Sequence, residues 1–509
     1  MYPGTHAGDQ PDKPAVMLAG TDRVVTYREL DEGSLRLARM LFDAGLRRGD
    51  HVALLTDNDP TAFIAYWAAL RSGLYITAIN WHLGAAEAAY IVNDCEARVL
   101  ITAAALGGLA ADFADATPRV RIRVSFGGEV PGHEPLEPIL AQASCEPLPA
   151  QPRGADMLYS SGTTGRPKGI KPTLPDYEID AQPEPTMFAL GQLFGFGLDT
   201  IYLSPAPLYH AAPLRFCGWV QAWGGTVVLL PRFDPETALA TIERYRITHS
   251  QWVPTMFVRM LKMPEQLRTK YDLSSHRRAI HAAAPCPVEV KRAMIDWWGP
   301  ILVEYYASTE GSGLTFIDSQ QWLERPGSVG RAMIGIVHIC GDDGAELATG
   351  ETGTVYYERD EPTFEYHNDP GKTRDGRHPR FPSWATVGDI GHVDADGYLF
   401  LTDRKAFMII SGGVNIYPQE IEDALALHPK VDDVAVVGVP DPEMGQSVRA
   451  YVQAAADAAP GSELAAELTG FLRERIAHFK VPREFEFVRE LPRTPTGKLA
   501  KGKLLQRHT

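Results

Sequence analysis

The chain has 509 residues, 45% hydrophobic and 22% charged, which allows a large core and two or more domains. Its 64 acidic against 49 basic residues give a net charge of −15. That balance argues against nucleic acid or an anionic membrane surface as the main partner, while leaving room for a local basic site that takes an anionic substrate.

The opening segment, MYPGTHAGDQPDKP, is polar and proline-bearing, without the charged and apolar regions of a signal peptide. No apolar run is long enough to span a bilayer, so no integral membrane segment is expected. Over residues 26–45, Leu30, Leu35, Leu37, Ala38, Leu41 and Phe42 recur at near-helical spacing, with Gly45 suited to the end. Residues 51–55 read as a short strand and 59–73 as a second helix rich in Ala and aromatics. The alternation continues through strands at 99–101 and 227–230 and a helix at 235–245, which predicts α/β layers with largely parallel sheets. Residues 126–156, rich in Gly, Pro and Glu, read as connecting loop. Residues 172–197 combine several prolines with Met187, Phe188, Leu190, Leu193, Phe194 and Phe196, suiting either a cover over a pocket or a core helix after a loop.

The texture changes near Asp403 and Arg404. A helix is expected at 418–427, a strand at 434–439, a helix at 464–476 and a strand at 485–488. These make a compact α+β unit of about one hundred residues, a plausible domain in its own right. The expected fold class is therefore α/β, a large N-terminal domain of layered α/β subdomains over residues 1–404 and a small C-terminal α+β domain over 405–509. The five cysteines, Cys95, Cys145, Cys217, Cys286 and Cys340, are scattered, with no CxxC pair and no zinc-ligand spacing. A sparse, odd set suits a reducing cytoplasm.

Four segments carry chemistry. The first is Tyr159-Ser160-Ser161-Gly162-Thr163-Thr164-Gly165-Arg166-Pro167-Lys168-Gly169. Glycines let backbone approach a ligand closely, and N–H groups, hydroxyls and Lys168 can surround phosphate oxygens. It is not a P-loop, because Gly165 is followed by Arg-Pro-Lys rather than Lys-Ser/Thr. Taken alone, a solvated polar loop explains it as well. The second is Glu304-Tyr305-Tyr306-Ala307-Ser308-Thr309-Glu310-Gly311, in which Glu310 offers the hard oxygen that a phosphate-bound Mg2+ prefers. The third, Thr386-Val387-Gly388-Asp389 with Asp403-Arg404 downstream, supplies a carboxylate suited to two ribose hydroxyls. The alternative there is a surface ion pair, worth about 0–1 kcal/mol. The fourth is Pro492-Arg493-Thr494-Pro495-Thr496-Gly497-Lys498, where a lysine in a tail is ordinarily only solvated charge.

In this order the four segments resemble the signatures of the adenylate-forming enzymes, which include acyl-CoA synthetases, luciferases and peptide-synthetase adenylation domains. The similarity runs from about residue 26 to about residue 504. The resemblance implies that Ser160, Ser161, Gly162, Thr163, Thr164, Gly165 and Lys168 grip the phosphates of ATP. It implies Glu310 and Thr163 at Mg2+, with Tyr305, Tyr306, Ala307 and Thr309 beside the nucleotide and Tyr306 stacking on adenine. His281-Ala282-Ala283-Ala284-Pro285 is similar to the small-residue stretch along the adenine, which brings in Ala283, Ala284 and Pro285. Asp389 would take the ribose and Arg404 a second ribose or phosphate contact. Lys498 would meet the substrate carboxylate and the α-phosphate, where charge develops.

After adenylation the family's small domain rotates, and Ser411, Gly412, Gly413 and Asn415 match its pantetheine tunnel. His210, in Pro207-Leu208-Tyr209-His210, matches the segment gating the carboxylate pocket. The chain departs from the family at Ala307, commonly Gly, and at Ala406 in the hinge, where many relatives carry Lys or Asp.

The implied activity is an ATP-dependent, AMP-forming acyl-CoA synthetase, with Lys498, Thr163, Glu310 and His210 as its catalytic residues and ATP, Mg2+ and coenzyme A as its cofactors. The chain runs only a short way past Lys498, so no carrier domain is expected to follow and coenzyme A is the expected acceptor. A fatty acid is the favoured substrate. A hydroxycinnamate, another aryl acid, a steroid acid or a non-CoA acceptor are the alternatives, and a homodimer is left open. The presence of Lys498, Glu310, Asp389 and Arg404 argues against a nucleotide-binding relative without catalysis.

Overall fold

A computed structural model describes residues 1–160, 167–404, 407–493 and 499–505. The first layer is a six-stranded sheet, all parallel. Its order is Glu134–Pro135, Ile122–Phe126, Val99–Ala103, His51–Leu55, Tyr75–Ile79, Ala155–Asp156. Three of its four inner strands, Val99–Ala103, His51–Leu55 and Tyr75–Ile79, are buried at every residue, as expected of strands covered on both faces. The helix Tyr27–Asp43 opens with a capping box between Thr26 and Glu29. The helix Ala62–Leu70 is buried at all nine positions. An apolar helix of that kind can only sit between layers, and its residues join one core with both large sheets.

The second sheet has fourteen strands. One half is a parallel run, Pro14–Leu18, Thr226–Leu229, Ile201–Ser204, His249–Trp252, Arg278–His281 and Leu302–Ala307. Beyond Leu302–Ala307 it turns antiparallel through Leu314–Asp318, Ser328–Ile334, Tyr398–Arg404, Asp389–Val393, Gly353–Glu358 and Ile336–Cys340. The expectation of largely parallel sheets is corrected for this half: hairpin-length connections such as that from Ala307 to Leu314 admit only antiparallel neighbours. A three-stranded sheet, Phe364–Tyr366, Lys168–Pro172 and Leu158–Ser160, bridges the layers.

The small domain is a five-stranded sheet of Val414–Ile416, Ile409–Ser411, Gly445–Ala454, Val431–Asp441 and Glu484–Phe487. The helices Pro418–Leu425 and Ser462–Arg473 close its core. It docks on the large domain through Lys262, whose Nζ donates to the carbonyl oxygens of Val431 at 2.7 Å and Asp432 at 3.2 Å.

One further sequence expectation needs correction, and one open alternative resolves. The stretch 126–156 is not loop throughout, since it holds Glu134–Pro135, the helix Leu136–Gln142 and the edge strand Ala155–Asp156. Within 172–197 the helix Pro185–Phe194 puts Met187, Leu190 and Phe194 into the core, so the core alternative is the one observed. Among the described residues no helix is long and apolar enough to cross a membrane.

Four buried histidines make the fold acid-sensitive. Burial lowers His51 and His249 to about 4 and His276 to about 3, and pushes His281 well below its ordinary range. All four stay neutral in the fold and gain protons only when the chain opens. Their contribution is therefore complete above about pH 6.5 and is lost as pH falls toward their folded values, each at up to about 1.4 kcal/mol per pH unit. The melting temperature is expected to fall steadily from pH 7.5 to 5.5 in scanning calorimetry. A flat profile would contradict it.

Candidate active site

Three connections leave the carboxyl ends of strands in the parallel run of one sheet, the place where open α/β sheets take ligands. His210 follows Ile201–Ser204 and begins the helix Ala211–Ala222, its carbonyl oxygen accepting from Leu214 N at 3.1 Å. Its ring stands edge-on to Tyr209 at 4.3 Å. After Arg278–His281 the chain turns through Ala283, Ala284 and Pro285, all exposed. Ala283 has φ +78°, a left-handed conformation costing a residue with Cβ about 1–2 kcal/mol. After Leu302–Ala307 come Ser308, Thr309 and Glu310, all half-buried.

Strand alternation splits the second signature between two faces. Tyr306 turns toward the antiparallel half of the sheet, where its hydroxyl donates to Asp389 Oδ2 at 2.6 Å. Asp389 is buried and lies directly across the ladder from Arg404. Glu304 points the same way but deeper. Lys291 Nζ donates to its Oε2 at 2.5 Å, and His281 Nε2 lies 3.7 Å from that oxygen. Both partners of the ion pair are essentially inaccessible, at 0% and 5% side-chain exposure. Burial raises the Glu304 carboxyl and Lys291 opposes that. The pair joins the helix Val288–Trp298 to the strand carrying Tyr306, directly beneath the alanine turn.

The Tyr305 side chain faces the other way. Its hydroxyl accepts from Gln251 Nε2 at 3.1 Å, and its ring stacks on Phe216 at 5.6 Å. Phe194 lies 6.1 Å from both Tyr305 and Phe316, and Trp219 lies 4.8 Å from Phe216. Ala307, on the same face as Tyr305, is partly buried against the large core to which these rings belong.

The phosphate-loop flanks reach the same place. Ser160 and Lys168 face each other across an antiparallel ladder, and Ile170 pairs with Tyr366 on the next strand. Tyr366 donates to Glu310 Oε1 at 2.8 Å, and Lys168 Nζ sits 5.2 Å from the centre of its ring. Lys168 and Glu310 thus meet at one tyrosine, with Ser160 paired to Lys168 on the next strand, while Tyr306 joins Asp389. The expectations for Ser161, Gly162, Thr163, Thr164, Gly165 and Lys498 fall outside the described residues. Of Lys498's neighbours, Arg493 chelates Asp433 at 2.5 and 2.7 Å, and Lys501 pairs with buried Glu422 at 2.8 Å.

Ser411, Gly412, Gly413 and Asn415 are not brought to this cluster. Gly412 and Gly413 have φ +57° and +80° and make the two-residue turn between Ile409–Ser411 and Val414–Ile416. The turn borders an open cleft of about 490 Å³ with Met444, Arg473, His478, Phe479 and Arg483, every wall of it in the small domain.

A family model described as AMP-binding enzyme matches residues 5–366. The chain belongs to the AMP-binding enzyme family. A second model, the AMP-binding enzyme C-terminal domain, matches residues 420–498. A feruloyl-CoA synthase of Amycolatopsis sp is 35% identical, covering 99% of this chain and 98% of that one. A long-chain-fatty-acid–CoA ligase of Bacillus subtilis is 30% identical, covering 98% and 92%. The crystal structure of the anthranilate CoA ligase AuaEII with anthranoyl-AMP superposes with a TM-score of 0.86 at 26% identity, covering 99% and 96%.

Sequence reasoning missed two parts of this AMP-binding enzyme's site. Tyr366 lies 56 residues beyond Glu310, and no local pattern ties them. The Lys291–Glu304 pair was also missed. Glu304 was read only as the start of a motif, and a lysine on an amphipathic helix normally reads as a solvated residue.

Proposed function

We propose that this AMP-binding enzyme is a carboxylate–CoA ligase whose preferred acid is compact and planar, such as a benzoate or hydroxycinnamate. The carboxylate attacks the α-phosphate of ATP, forming acyl-adenylate and releasing pyrophosphate. The thiol of coenzyme A then attacks the acyl carbon, loses its proton, and AMP leaves. Splitting one difficult transfer into two easier ones is the gain.

In the first step Ser160 and Lys168, with Ser161, Gly162, Thr163, Thr164 and Gly165, hold the phosphates. Tyr306 and the alanine turn border the adenine, Asp389 and Arg404 take the ribose, and Lys498 meets the reacting centre. Glu310, with Thr163, would hold Mg2+ beside the phosphates, where the ion would supply charge neutralisation. The donor set fits it: one half-buried carboxylate whose orientation Tyr366 fixes, as suits a metal that keeps waters and substrate phosphates as its other ligands. For the second step residues 405–509 rotate as a unit, bringing Ser411, Gly412, Gly413 and Asn415 to the thiol. The reducing cytoplasm is its proposed compartment, in keeping with five unpaired cysteines.

The observation carrying the substrate assignment is the aromatic block of Phe194, Phe216, Tyr305 and Phe316, on the strand face that Ala307 shares. Close-packed rings do not yield cheaply to an inserted alkyl chain, because overpacking costs about 1–3 kcal/mol. A flat ring resting on them gains stacking instead.

The test is CoA-thioester formation, followed by mass, over fatty, cinnamic, benzoic and steroid acids. Aryl acids are expected to exceed palmitate about a hundredfold in kcat/KM, or about 2.7 kcal/mol. Palmitate as the better substrate would overturn the assignment. Acid-dependent pyrophosphate release without thioester would point instead to a non-CoA acceptor.

A further inference from the structure

Tyr366 stands where three separate pieces of chain meet. Its backbone pairs with Ile170 on the strand that begins at Lys168. His367 N donates to Gly169 O at 2.8 Å, and Tyr366 N donates to Thr373 Oγ1 at 3.0 Å. The phenol is therefore held by its own strand and by the helix Pro370–Asp375 behind it. Its hydroxyl donates to Glu310 Oε1 at 2.8 Å while its ring lies 5.2 Å below the Lys168 ammonium. Thr363 Oγ1, three residues upstream, donates to the Glu310 carbonyl oxygen at 3.2 Å, so the same segment holds both ends of that residue.

We propose that Tyr366 is the positioning residue that sets the carboxylate of Glu310 and the ammonium of Lys168 at one fixed separation for a magnesium-bound nucleotide triphosphate. This rests on the ligase function proposed above. A carboxylate left to itself rotates, and Lys168 would be drawn to it as an ordinary ion pair, closing the space that metal and phosphates need. The phenol prevents both. It occupies Oε1 with a neutral donor, which leaves the carboxylate its charge. It also offers the lysine a ring face, an attraction weaker than a direct charge pair. The hydroxyl acts on the carboxylate and the ring on the lysine, so two substitutions separate the two effects.

Tyr366→Phe removes only the hydroxyl, and Tyr366→Leu removes the ring as well. Binding of ATP would be measured by titration calorimetry with and without Mg2+, alongside acid-dependent pyrophosphate release and thioester formation from supplied acyl-adenylate and CoA. Tyr366→Phe is expected to weaken Mg-ATP binding about tenfold, the loss of one hydrogen bond to a charged group. It should leave metal-free ATP binding within about twofold. Tyr366→Leu is expected to weaken both. Thioester formation from supplied adenylate, which involves no triphosphate, should stay near wild type in either variant.

Equal losses in both half-reactions, with a lowered melting temperature, would mean that Tyr366 merely supports the fold and would overturn the proposal. So would unchanged Mg-ATP binding in Tyr366→Phe. Failure of the ligase function itself would show differently, as wild-type protein that releases no pyrophosphate with any acid.

Discussion

Lys291→Ala is expected to destabilise the large domain by about 3–5 kcal/mol, because it leaves the Glu304 carboxylate buried without a partner. The pair is inaccessible, 2.5 Å apart, and burial disfavours a charge on His281 beside it. The loss also falls where it matters for chemistry. Glu304 lies two residues before Tyr306 on the strand that ends in Ala307, and His281 begins the turn through Ala283, Ala284 and Pro285. Thermal and urea unfolding would measure it. The double variant Lys291→Met with Glu304→Gln removes both charges at similar volume and should recover most of the stability. If Lys291→Ala alone changed stability by under about 1 kcal/mol, the pair would be as replaceable as a surface ion pair.

Glu310→Ala is expected to lower acid-dependent pyrophosphate release by about a hundredfold to a thousandfold, the range seen when one pre-placed electrostatic group is removed. Its carboxylate is half-buried and held by Tyr366, and among the described residues no cluster of three or more metal-binding side chains stands by to replace it. The melting temperature should move little, since one hydrogen bond to a charged group is worth about 1.5–3 kcal/mol. Thioester formation from supplied acyl-adenylate should be nearly unchanged. A loss of only a few-fold in pyrophosphate release would remove Glu310 from the proposed magnesium site.

Much of the fold was legible in the sequence because local pattern and local structure agreed. His51–Leu55 and Pro235–Tyr245 have the bounds expected of them, and Thr26 with Glu29 carries the cap that starts the long helix. The change of texture after Arg404 coincides with the change from the fourteen-stranded sheet to the small one. Where the sequence misled, the cause was physical. A Pro- and Gly-rich composition hid the helix Leu136–Gln142, which begins directly after Pro135. At 172–197, where a cover and a core helix were both open, the apolar residues formed the buried helix. Tyr305 and Tyr306, adjacent in one motif, went to opposite faces because a strand alternates its side chains.

By itself, then, the sequence determined the family and the division into a large and a smaller domain, and it nominated the residues proposed to meet ATP. Each of these is written in short contiguous segments whose spacing and backbone needs are local. Only the tertiary structure decided that Tyr366 links Glu310 to Lys168, that Glu304 is a buried partner of Lys291, and that Phe194, Phe216, Tyr305 and Phe316 pack as one aromatic block. Those contacts join positions far apart in the chain, and they depend on strand register and layer packing, which no single segment encodes.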